Sequence, residues 1–89
     1  MEKTVLARII LLIKKFSESS GRAEKEVSGK QISNLCSVNY REIAQEDPEL
    51  AKLIFPLIAL GYYNKDDNKF DPNLEELERI MKELQKQLK

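Results

Sequence analysis

The chain has 89 residues, with 15 Lys and Arg against 15 Asp and Glu, no histidine and one cysteine. That length supports one small core and not two domains, and 42% apolar with 34% charged residues is a foldable, largely helical composition and not a disordered or fibrous one. Without histidine, and with Cys36 alone, the usual zinc sites, Ser–His and Cys–His catalysis and an internal disulfide are excluded. The chain is therefore expected to be no enzyme and to need no cofactor, metal or small-molecule substrate. The zero net charge removes the overall basic excess that makes nucleic-acid binding the simple reading of a small domain.

The first apolar run, residues 5–13, is broken by Arg8 and closed by Lys14 and Lys15, far short of the roughly 20 residues of a membrane span. Its charge order is also wrong for a secretory signal. It reads as an amphipathic helix over residues 3–17, with Val5, Leu6, Ile9, Ile10, Leu12, Ile13 and Phe16 on a broad stripe. A cytoplasmic location without membrane contact is expected, and Cys36 in an apolar neighbourhood fits it as a buried packing residue. Residues 17–26 lose the periodicity and read as a polar connection or a frayed helix end. Ser28 then stands as a candidate N-cap for a helix that places Ile32, Leu35, Cys36, Tyr40 and Ile43 on one face.

Asp47-Pro48-Glu49 opens the next helix: Asp caps orphan N–H groups, Pro suits the first position, and Glu complements the positive end of the dipole. Pro56 is expected to bend this helix, and Gly61 to close it in a left-handed cap. Tyr62-Tyr63 and Lys69-Phe70 flank the polar turn Asn64-Lys65-Asp66-Asp67-Asn68 and read as a short β-hairpin. Asp66, Asp67 and Asp71 lack the spacing of a calcium loop, so they are turn residues. Asp71-Pro72-Asn73 opens the last helix, where Leu74, Leu77, Met81, Leu84 and Leu88 form a two-heptad seam able to pair with a second copy or to dock on its own domain. The pattern is mainly α with a small β-hairpin.

Two stretches carry a family resemblance. Leu57-Ile58-Ala59-Leu60-Gly61-Tyr62-Tyr63 followed by residues 64–70, and Ile32-Ser33-Asn34-Leu35-Cys36-Ser37-Val38-Asn39-Tyr40-Arg41-Glu42-Ile43, resemble the winged helix-turn-helix family of DNA-binding domains. The resemblance implies a winged helix-turn-helix over residues 1–72 with an additional C-terminal amphipathic helix over 73–89. Two parses are open: a turn at Ser37-Val38-Asn39, or one helix over 28–45 with the recognition position at 47–60. The second has the stronger helix start.

In that parse the recognition helix offers Lys52 as its one cation, beside Asp47 and Glu49, a poor set for reading bases and phosphates. By segment, residues 1–30 hold seven cations and four acids (+3), 31–56 two and four (−2), 57–73 two and three (−1), and 74–89 four of each. The candidate DNA contacts are accordingly Lys14, Lys15, Arg22, Lys25 and Lys30, with Arg41, Lys52, Lys65 and Lys69. The six aromatic residues Phe16, Tyr40, Phe55, Tyr62, Tyr63 and Phe70 fit packing better than base stacking, since most fall on core faces or strands. The expected function is a small regulatory or chromatin-type protein, homodimeric through residues 74–88, that binds double-stranded DNA weakly and with steep salt dependence. The alternative is a non-catalytic protein-interaction module, an accessory subunit of a larger complex docking through residues 50–60 or the C-terminal seam.

Overall fold

The structure, a computed structural model, describes residues 3–66 and 70–88. Helix α1 (Lys3–Glu18) folds back on α2 (Arg22–Glu46). A single residue leads into α3 (Pro48–Ile58), which tightens into a 3₁₀ turn (Ala59–Tyr62), and α4 (Leu74–Gln87) completes the fold. Helix α2 packs on α1 and α3, and α4 packs on the same two helices from the other side. At 1.5 Å per residue, α2 is about 37 Å long, matching the 37 Å long axis of the molecule. It is the spine to which the other elements attach.

Each helix forms where its apolar period meets a start signal. The stripe of α1 buries Leu6, Ile9, Ile10, Ile13 and Phe16. Asp47 does two jobs at the α2–α3 corner: its N–H donates to the Ile43 carbonyl at 2.7 Å, and its Oδ1 accepts the Leu50 N–H at 3.2 Å. One residue thus ends one helix and caps the next. Helix α3 buries Leu50, Ala51, Ile54 and Leu57. Pro56 lies in its last turn, and the regular helix ends two residues later. Asn73 caps α4 by accepting the N–H groups of Glu75 and Glu76 at 3.0 and 3.2 Å.

Several expectations are corrected. Among the described residues there is no strand, only an isolated β-bridge at Asn64, so they hold no β-hairpin wing and the winged helix-turn-helix class gives way to a four-helix globule. The cause lies in what residues 62–65 bond to. Tyr62 is in the 3₁₀ turn, and Tyr63 is buried edge-on against Phe16, with ring centroids 5.6 Å apart at 82°. The Asn64 and Lys65 carbonyls accept the Arg22 guanidinium at 2.9 Å each, and the Lys65 N–H donates to Glu26 Oε2 at 2.7 Å. Side chains of α2 thereby take backbone groups of Asn64 and Lys65 that a longer ladder would have used, and the pairing at Asn64 is a single bridge. Residues 67–69 of the expected turn and strand, Lys69 included, lie outside the described residues.

The start of α2 is also earlier than expected. The connection is residues 19–21, Gly21 is the N-cap, and Ser28 is a fully buried mid-helix residue. Arg22, Ala23, Glu24, Lys25 and Glu26 have good or adequate helix propensity. The two cations of that segment are also tied down: Arg22 lies 5.0 Å over the Tyr63 ring, and Lys25 lies 4.9 Å over the Phe16 ring and donates to the Phe16 carbonyl at 2.6 Å. Ser37, Val38 and Asn39 are interior to α2, so the parse with a turn there fails; Asn39 donates instead to the Leu35 carbonyl one turn back.

Gly61 is not in a left-handed cap, because no glycine has a positive φ. It is needed for closeness: a Cβ there would stand 2.7 Å from Ser33 Oγ, whose hydroxyl donates to the Ile58 carbonyl at 2.7 Å. Gly29 plays the matching part on α2, where a Cβ would stand 2.6 Å from the Leu60 carbonyl oxygen. Gly29 lets the spine meet the 3₁₀ turn backbone to backbone, and Gly61 lets the turn meet the Ser33 side chain.

Helix α4 belongs to the same core as residues 3–66. Leu77, Ile80 and Leu84 are buried, and Met81 and Leu88 pack partly buried against that core. The seam's central leucines are therefore used inside the chain, where a homodimer through residues 74–88 would have needed them at the surface. Replacing Leu84 with alanine is expected to cost about 2–5 kcal/mol of stability, with an unfolding midpoint independent of protein concentration. A midpoint that rises with concentration would instead place the seam between two chains.

Candidate interaction surface

Of the eight candidate cations among the described residues, Arg22, Lys25, Lys30 and Lys65 gather at one corner, around Glu26 and the Phe16–Tyr63 pair, and the other four lie elsewhere on the helices. Arg22 and Lys25 are the ties just described. Lys30 pairs with Glu26 at 3.4 Å and Lys52 with Glu49 at 3.6 Å, both exposed i,i+4 or i,i+3 pairs of small energetic weight. Arg41 lies on α2 about 28 Å along the helix from Arg22. Lys65 is exposed, with both backbone polar groups engaged by α2. Lys14 and Lys15 are exposed on α1. The apolar surfaces expected to dock on a partner are mostly turned inward: α3 buries Leu50, Ala51, Ile54 and Leu57 and leaves Phe55 exposed, and α4 buries Leu77, Ile80 and Leu84 and leaves Leu74 exposed.

Phe55, Tyr62 and Leu74 stand exposed on α3, the 3₁₀ turn and α4, and three more exposed apolar residues lie on α1 and α2. Leu11 is 65% exposed, Val27 56% and Val38 72%. All three lie on the outer side of the α1–α2 hairpin. On α2, Val27, Gln31, Asn34 and Val38 recur at intervals of four, three and four, one helical face. On α1, Arg8, Leu11 and Lys15 do the same. Between them runs a groove of about 420 Å³ lined by Arg8, Leu11, Leu12, Gln31, Asn34 and Leu35. It is continued toward the hairpin turn by a second hollow of about 270 Å³ lined by Lys15, Ala23, Glu24, Val27 and Ser28. The sequence did carry a signal for this surface: Leu11, Val27 and Val38 are the apolar residues that fall off the core stripes of their helices. An apolar residue off its stripe is routine when single; only the fold shows that these three share one side.

The charges of this side are uneven. Helix α1 carries Lys3, Arg8, Lys14 and Lys15 against Glu18, four cations less one acid, a formal +3. Helix α2 balances at four and four. Lys3 lines a separate hollow with Glu46 and Asp47, and Arg8 and Lys15 are the α1 cations that line the groove and its continuation.

Other titratable groups are structural. Glu26 is held below the usual carboxylate range, first by the Lys65 N–H it accepts and then by Lys30 beside it. Burial pushes the Cys36 thiol up to about 12, which keeps the thiol protonated at neutral pH. Cys36 is thus expected to be inert to a disulfide-exchange reagent such as DTNB at pH 8 in the folded chain and to react fully in denaturant. Stoichiometric reaction of the folded chain within seconds would refute its burial. No group of three or more potential metal ligands occurs among the described residues, and no helix there is long and apolar enough to cross a membrane. Comparison with protein-family models, curated proteins and solved structures finds no match.

Proposed function

We propose that this chain is a non-catalytic protein-interaction module, an accessory domain that docks on another polypeptide through the outer face of the α1–α2 hairpin. One observation carries the reading: Leu11, Val27 and Val38 stand more than half exposed along a single seam, whereas the other large aliphatic residues of α1 and α2 are buried or partly buried. A clustered apolar surface beside charged residues is the common mark of an interaction site. DNA binding has less support, because Arg22 and Lys25 are engaged in contacts within the chain and the exposed Lys30 and Lys52 each stand beside a glutamate.

The test uses the chain as bait in its native host extract, wild type beside Leu11→Glu/Val38→Glu. Both positions are exposed, so the variant should keep its fold and its melting temperature. Proteins retained by the wild type and lost by the variant support the reading; an identical set from both baits overturns it. A parallel anisotropy titration with duplex DNA at about 50 mM salt is expected to show no binding weakened by Lys14→Glu/Lys15→Glu. Such binding would return the surface to nucleic acid. Arg22 and Lys25 are unsuited to this test because their loss would disturb the Phe16–Tyr63 corner.

A further inference from the structure

Resting on the interaction reading above, we infer the chemistry of the partner: an amphipathic α-helix with an acidic flank, lying in the groove between α1 and α2. Three features select it. The groove is formed by two helices side by side, with Leu11 on one wall and Gln31 and Asn34 on the other, and the exposed Val27, in the adjoining hollow, and Val38 continue the helical face of Gln31 and Asn34. Val27 to Val38 spans about 16 Å, three turns of helix, the length over which a docked helix presents two or three apolar anchors. The described residues contain no strand, so no sheet edge is offered to an extended peptide.

Charge decides the rest. Arg8 and Lys15 line the α1 wall, with Lys14 and Lys3 on the same helix and Glu18 its one acid. The α2 wall presents the neutral amides of Gln31 and Asn34 between its valines, with Glu24 at one end. A helix seated here meets an apolar floor, a basic rim on one side and a near-neutral rim on the other. Its favoured sequence therefore has Leu, Ile or Val at i, i+3/i+4 and i+7 and Glu or Asp along the edge facing α1. A second copy of this chain is a poorer occupant. The two-fold pairing of this face sets basic α1 against basic α1 or against a balanced α2, with no gain in charge complementarity.

The experiment is a selection on the full chain from a displayed library of amphipathic helices of about 15 residues, with apolar anchors fixed and flanking positions drawn from Glu, Gln and Lys. Glu is expected to be enriched over Lys about tenfold on one flank. A selected peptide should shift the amide signals of Leu11, Gln31, Leu35 and Val38, and should bind Arg8→Glu/Lys15→Glu about tenfold more weakly. Selected helices with no acidic flank, or with unchanged affinity for that variant, or shifting a different face, overturn the inference. So does a dimer in sedimentation equilibrium that Val38→Glu dissociates, which would assign the groove to a second copy. If no helix is selected while host proteins still depend on Leu11 and Val38, the acidic helix is wrong and the interaction module stands. If the captured set ignores Leu11 and Val38, the module itself falls.

Discussion

Replacing Phe16 with alanine is expected to lower the free energy of unfolding by about 3–5 kcal/mol, measured by denaturant titration of the helical circular dichroism signal. Phe16 is wholly buried at the last turn of α1, and the corner is built around it. Tyr63 meets it edge-on, Lys25 lies over its ring and bonds its carbonyl, and Gly29 packs near its edge. Truncation leaves a cavity of aromatic size and also removes the surface on which Tyr63 is pinned. A domain of this length has roughly 4–13 kcal/mol in all, so the loss is a large share of its stability. The ring is what matters, so Phe16→Leu should cost only about 1–2 kcal/mol. A loss below about 1 kcal/mol for Phe16→Ala would show that the α1 end does not hold the 3₁₀ segment.

The second large effect has a sign that two opposing terms must decide. Gly29 is mid-helix in α2, where alanine is intrinsically favoured by about 1 kcal/mol. On propensity alone Gly29→Ala would stabilise. The added Cβ, however, would stand 2.6 Å from the Leu60 carbonyl oxygen, a backbone atom that cannot rotate aside. Overpacking of this kind costs about 1–3 kcal/mol and occasionally more. The net expectation is a loss of up to about 2 kcal/mol and a fall of up to roughly 15 °C in the melting temperature. Valine or leucine at the same position should be worse still. A raised melting temperature would mean that α2 and the 3₁₀ turn do not touch, and that the propensity term alone acts.

The helices were legible in the sequence to the extent that their start signals are local. Asp47-Pro48 and Pro72-Asn73 mark the starts of α3 and α4 because a cap and a proline act within four residues of themselves. The start of α2 was not legible. Residues 22–26 have no apolar period, and what holds them in the helix is bonding to Phe16, Tyr63, Asn64 and Lys65, distant in the chain. The wing failed for the same reason: Tyr62-Tyr63 has the aromatic composition of a strand, but Tyr63 is drawn into the core. Gly61 likewise suggested a turn by its identity, while its use is proximity to Ser33.

The candidate site followed a similar division. Cations are visible in any sequence, but whether they are free is not. Arg22, Lys25, Lys30 and Lys52 have partners that only folding supplies, and the surface left over, Leu11 with Val27 and Val38, draws on two helices at once. Composition and period by themselves determined a single helical core, the α1 stripe, the α3 and α4 starts and the +3 charge of the first third, because each depends on neighbours within a few residues. The tertiary structure alone decided that α4 closes the same core, that there is no strand among the described residues, and that three stray apolar side chains fall on the outer side of one helical hairpin. Those outcomes depend on which distant groups satisfy one another's hydrogen bonds and exclude one another's water, and no local pattern carries that information.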